Sequence, residues 1–216
     1  MRKGMIIGAL ALIGSLASPA FAKDQYSGVR LGVSLGQETF DSKVSYLGFG
    51  TEKVNTNRMG YTITGGWALN KWFAVEGAYN DGGDFNKTLF VDMDNFPLRD
   101  IASHYTMKAF VGSVVGSWWI NPKLGVYGRA GVYGWKGTYS FAYDNNVRVA
   151  PGYQRQHYDD DGFEPLVGLG VQTELDGAIV RLEYSMATLS DHTETFAAAR
   201  DATVSTLSLG IVWTIH

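Results

Sequence analysis

The chain of 216 residues contains no cysteine. Disulfides cannot staple it and thiolate metal sites are excluded, so stability has to come from packing or from closed hydrogen bonding. After the first 22 residues there is no apolar run of the roughly 20 residues that a transmembrane helix needs. Basic charge is not in excess either: Lys plus Arg number 18 against 21 Asp plus Glu, which disfavours nucleic acid as a partner.

What is there begins with "MRKGMIIGALALIGSLASPAFA", where Arg2 and Lys3 precede an apolar stretch and Ala20-Phe21-Ala22 closes it. This pattern is a secretory signal peptide, and residues 1–22 are expected to be cleaved before Lys23. The stretch is too short for a retained anchor. The mature part, 23–216, has 194 residues (216 − 22), enough for one domain. It loses two basic residues with the leader, so its formal charge is 16 − 21 = −5.

The mature part is rich in Gly (27 in the whole chain), Tyr (12), Phe (11) and Trp (6). Apolar and polar residues alternate in eight segments: about Tyr26–Gln37, Arg58–Leu69, Trp72–Asn80, Tyr105–Ile120, Leu124–Phe141, Phe163–Leu175, Ala178–Ser190 and Thr203–Ile215. Three connectors are short hairpin turns, "NK" (Asn70, Lys71), "NPK" (Asn121 to Lys123) and "DG" (Asp176, Gly177). Four are long and polar, at about 38–57, 81–104, 142–162 and 191–202. An even strand number, with short turns at one end and long loops at the other, predicts an all-β fold. That fold is an eight-stranded antiparallel up-and-down transmembrane β-barrel whose long loops are extracellular.

The charges set the phase. In "LGVYGRAGVYGWKGTYSF" Arg129 shares a face with Tyr127 and Tyr133, opposite Val126, Gly128, Ala130 and Val132. Glu76, Arg181 and Glu183 likewise oppose the apolar ladders of their strands. An arginine on the lipid face near the bilayer midplane costs about 2–4 kcal/mol. Arg30, Glu76, Arg129, Arg181 and Glu183 are therefore expected to form a charge network in the lumen, with Glu164 a further inward candidate. The segment Ala109–Trp119 is apolar or small on both faces and shows no phase. Trp67, Trp72, Trp118, Trp119 and Trp213 gather at the short-turn end, where an aromatic girdle would meet the lipid interface.

The ordered motifs "YSGVRLGVSLGQ", "NRMGYTITGGWALNKWFAVEGAYND", "LGVYGRAGVYGWK", "VGLGVQTELDGAIVRLEY" and "LSLGIVW" resemble the transmembrane domain of the outer membrane protein A family. The second carries Gly60, Gly65, Gly66, Asn70, Glu76 and Tyr79 at the family's spacing. The resemblance implies a porin-type barrel in the cell outer membrane of a Gram-negative bacterium. It does not extend to the four loops. It implies a luminal pair between Glu76 on the third strand and Arg181 on the seventh, and a proposed gate in which a lysine and a second acid compete for them. Gln172 stands where the second acid would be and Val115 where the lysine would be, with Lys108 out of step, so the gate is incomplete. Ile215 and His216 replace the family's terminal Phe. The family's peptidoglycan-binding domain is expected to be missing.

Three function classes follow. The first is a structural or surface-interaction barrel, adhesive or protective, with a charged and largely closed lumen. Its partners are outer-membrane lipid and lipopolysaccharide, the outer-membrane assembly machinery, and a host or surface ligand at the loops. The second is a narrow ion or small-solute pore, although an eight-stranded interior is only just wide enough for its own side chains. The third is a lipid A-modifying enzyme, which needs a nucleophile, a base and an orienting acid. His104, His157, His192 and His216 lie in loops or at the end, and Ser103–His104 and Asp191–His192 are neighbours in sequence only. No catalytic set, cofactor or metal site is assigned. The acids Asp81, Asp84, Asp92, Asp94, Asp100 and Asp159 to Asp161 match no calcium loop and read as solvated surface.

Overall fold

A computed structural model describes residues 27–46, 50–89, 99–144, 154–189 and 197–215. The leader 1–22, Asp92, Asp94, Asp191, His192 and His216 lie outside the described residues. The strands are β1 (Gly28–Tyr46), β2 (Gly50–Ala68), β3 (Phe73–Leu89), β4 (Arg99–Trp119), β5 (Leu124–Asp144), β6 (Gln154–Leu175), β7 (Ala178–Leu189) and β8 (Ala197–Ile215). Each pairs with its neighbour antiparallel, and β8 pairs back onto β1 from Val29–Ile215 upward, closing an eight-stranded barrel. Closure leaves no row of unpaired backbone groups in the hydrocarbon region.

The short turns are built by the residues that mark them. Asn70 Oδ1 accepts the backbone N–H groups of Trp72 and Phe73 at 2.8 and 2.9 Å, and Asn121 Oδ1 does the same for Lys123 and Leu124 at 2.9 and 2.8 Å. This cap draws Trp72 into the turn, so β3 starts one residue later than alternation predicts. In the third turn Asp176 and Gly177 have φ of +48° and +82°, the paired left-handed conformation of a two-residue hairpin.

At the other end the strands run past the alternating segments. β1 continues to Tyr46, β3 to Leu89, and β2, β4 and β6 begin at Gly50, Arg99 and Gln154. The reason is visible in the register: the extensions pair Asp41 with Asn55 and Lys43 with Lys53. Beyond the apolar band neither face of the sheet has to be apolar, so the ladder continues without the periodic signal that reveals a half-buried strand.

The two faces are inverted relative to a soluble barrel. Leu31, Val33 and Leu35 of β1 are 48, 52 and 64 % exposed, and Phe110 and Leu169 are 68 and 73 % exposed, while Arg30, Glu38, Glu76, Arg181 and Glu183 are buried. β4, whose phase the sequence hides, turns Met107, Ala109, Val111, Ser113, Val115 and Ser117 inward, and Lys108, Phe110, Val114 and Trp118 outward.

Candidate functional site

Strand phase brings five of the inward charges to one place. Glu76 of β3 is completely buried and meets three guanidinium groups from three other strands. Arg30 Nη1 of β1 donates to Oε1 at 3.3 Å, Arg129 Nη2 of β5 to Oε2 at 2.9 Å, and Arg181 Nη1 of β7 to Oε1 and Oε2 at 2.8 and 3.1 Å. Arg129 Nη2 also lies 3.2 Å from Glu183 Oε2, which accepts the Tyr127 hydroxyl at 2.8 Å. The Arg181 guanidinium stands 4.9 Å over the Tyr127 ring. Charge-assisted bonds of this kind are roughly twice as strong as neutral ones, and here they tie four strands across the lumen.

The positions that depart from the family's gate are equally clear. Val115 is buried on the inward face of β4, so an apolar side chain stands at that point of the lumen. Lys108 points outward and sits 3.9 Å from Asp81. Gln172 is buried and its Oε1 accepts Arg181 Nε at 3.4 Å, a neutral contact where an acid would be charged.

A second ionic group lies further along the lumen, toward the long connections. Arg58 of β2 donates to Glu38 Oε2 of β1 through Nε at 3.1 Å and Nη2 at 2.6 Å, and through Nη1 to the Gly83 carbonyl. Gly83 has φ +72° and lies in the bulge where β3 slips against β4 between Asp81 and Asp84. At Gly82 a Cβ would collide with the Arg58 guanidinium and the Glu38 carboxylate, so any larger residue there has to displace the pair. Sequence reasoning placed Glu38 in a loop and gave Arg58 no role. The available signal was parity: Glu38 is eight residues beyond Arg30, in the same two-residue phase.

The tryptophans divide. Trp67, Trp118 and Trp213 are exposed on the outer face. Trp72 packs on Trp118 with ring centroids 5.7 Å apart and carries Lys71 Nζ 4.8 Å above its ring. Trp119 is half-buried, and its indole N–H donates to the Lys71 carbonyl at 2.9 Å, bridging the first and second turns. Glu164 is buried on the inward face of β6. Ser103 and His104 are consecutive in β4. Among the described residues no three His, Cys, Asp or Glu side chains are placed to hold a metal ion.

Against this geometry, the family model for the OmpA-like transmembrane domain matches residues 20–215. No curated protein matches the sequence. Among solved structures, the chain is similar to the outer membrane protease OmpT from Escherichia coli, with 11 % identity over 92 % of this chain and 100 % of that one and a TM-score of 0.51. It is also similar to Ail, the attachment invasion locus protein of Yersinia pestis, solved with the heparin analogue sucrose octasulfate (14 % identity, 86 % and 99 % covered, TM-score 0.45). A third is the outer membrane protein OprG from Pseudomonas aeruginosa (12 % identity, 88 % and 98 % covered, TM-score 0.48). At such identities the likeness concerns the fold alone.

Proposed function

The chain belongs to the OmpA-like transmembrane domain family, and we propose that it serves the cell outer membrane as a closed structural barrel whose long connections make the surface contacts. The observation that carries this reading is the Glu76 carboxylate held by Arg30, Arg129 and Arg181. Opening a path for solutes past Glu76 requires several charge-assisted bonds to break inside a desolvated lumen, where an unpaired charge is costly. Among the described side chains the inward set holds ion pairs and hydroxyls, with Tyr127 on Glu183, but no histidine to serve as base, so enzymatic chemistry on lipid A has no support in it.

On this reading the partners are outer-membrane lipid and lipopolysaccharide around the apolar band, the assembly machinery during insertion, and a surface ligand at the long connections. Export depends on the leader 1–22, and mass spectrometry of the mature protein should begin it at Lys23. The decisive test is a planar-bilayer recording of the refolded protein, run beside a lipid A mass spectrum before and after incubation. The expected result is no sustained conductance and no change in lipid mass. Steady channels would replace this reading with the pore, and an altered lipid mass with the enzyme. An epitope in the connection between β3 and β4 should be detected on intact cells and one at Asn121 should not; labelling at Asn121 would reverse the orientation.

A further inference from the structure

We propose that the lumen beside Arg129 and Arg181 binds a small monovalent anion of halide size. The cluster around Glu76 contains three guanidinium groups, on Arg30, Arg129 and Arg181, and two carboxylates, on Glu76 and Glu183, which leaves one positive charge in surplus. Arginine does not escape by losing a proton, because its delocalised guanidinium stays charged in proteins. A buried charge without a partner is held at a high cost.

The donors are also in surplus. Among the described residues, Arg30 Nε, Arg129 Nε and Arg181 Nη2 are buried with no hydrogen-bond partner, and so is Gln172 Nε2. The side chains of Arg30, Arg129 and Arg181 are themselves nine-tenths buried or more. A cavity of about 70 Å³ opens against Arg129 and Arg181; its other walls mix hydroxyls, among them Ser34, Thr62, Thr206 and Ser208, with apolar side chains such as Val111 and Leu166. Hydroxyls donate to an anion as readily as to a carbonyl.

Charge and size narrow the occupant. Water can satisfy the spare N–H groups but not the surplus charge. A cation would add to that surplus. A divalent oxyanion would overshoot it, and a large organic anion does not fit a space of this volume. Glu183 also lines the cavity and repels an anion, but its Oε2 is engaged by Arg129 and Tyr127, so the ion belongs on the Arg181 side. Glu38 and Arg58 pair with one another at 2.6 Å and neither they nor Glu164 line the cavity. The proposal holds for a closed barrel and for a conducting one alike, so its failure is separate from that of the structural reading.

The test uses the refolded mature chain in a zwitterionic detergent at constant ionic strength, with sodium bromide exchanged for sodium gluconate. The expected result is a saturable upward shift of the unfolding midpoint with bromide and no shift with gluconate, together with an anomalous bromide peak in crystals within contact of Arg129 and Arg181. Ser34 sits in the same cross-strand row as Arg181, with Gly210 between them. Ser34→Asp therefore supplies a carboxylate in place of the ion, and the bromide-dependent shift should be lost. Equal midpoints in the two salts, an anomalous peak only elsewhere, or an unaltered bromide response in Ser34→Asp would each overturn the proposal. Should Ser34→Asp not fold, the anomalous map of the unsubstituted protein decides alone.

Discussion

Among the described residues, two ionic groups of the lumen are built in opposite ways. Around Glu76 one carboxylate serves three arginines from three strands, and each of those contacts has a substitute nearby. At Glu38 the carboxylate leans on Arg58 through one oxygen, while its Oε1 has no hydrogen-bond partner among the described residues. The first group is redundant in cations and vulnerable at its acid. The second is vulnerable at its cation. A mutation in a buried ionic network is thus costly according to how many partners the survivor retains, rather than according to burial alone.

The largest expected effect comes from Glu76→Gln, which leaves three arginines facing only Glu183 and should cost about 3–5 kcal/mol in reversible unfolding in lipid. A loss below about 1 kcal/mol would mean that water or ions already screen the cluster. Next is Arg58→Met, which strips Glu38 of both its bonds and belongs near the lower end, about 3 kcal/mol. If it is instead neutral, Glu38 is solvated and the comparison between the two groups fails.

Double-mutant cycles sharpen the contrast. Glu76→Gln with Arg181→Met should couple by an amount in the range of about 0.5–3 kcal/mol. Glu38→Gln with Arg58→Met should recover a larger share of its single-mutant losses, because among the described residues no second arginine contacts Glu38. A zero coupling at Glu76 and Arg181 would show that Arg129 and Glu183 carry the interior. The smallest effect is expected from Arg30→Met. It removes a 3.3 Å contact from a carboxylate that keeps Arg129 and Arg181 and it lowers the positive surplus, so the cost should stay within about 1 kcal/mol.

How much of this could be read from the sequence depended on whether one face of the strand had to meet lipid. Arg30, Glu76, Arg129, Arg181 and Glu183 lie in the lipid-crossing stretches, where an apolar ladder on one face makes the opposite face legible, and their strands and turns were visible in the alternation. The Glu38 and Arg58 pair lies where β1 and β2 leave the apolar band and the alternation fades, so the sequence there reads as a loop. The Gly82 and Gly83 bulge that completes the pair is a register shift, which no periodicity reports. β4 was unreadable for a different reason. Its inward residues Ala109, Val111 and Val115 are as apolar as its outward ones, because they fill space beside bulky Tyr127, Tyr133 and Trp135.

The closing ladder sets an order of events. Val29 pairs with Ile215, so the two ends of the described sheet are joined across 186 positions (215 − 29). Every other strand pair is between neighbours in sequence and can form as soon as its hairpin exists, but this one must wait for the final strand. Until then β1 and β8 are open edges with lipid-seeking side chains, the condition under which strands add to foreign partners. Non-local closure is also what slows folding. Commitment to the closed barrel therefore falls at the end of the chain, when β8 becomes available to β1.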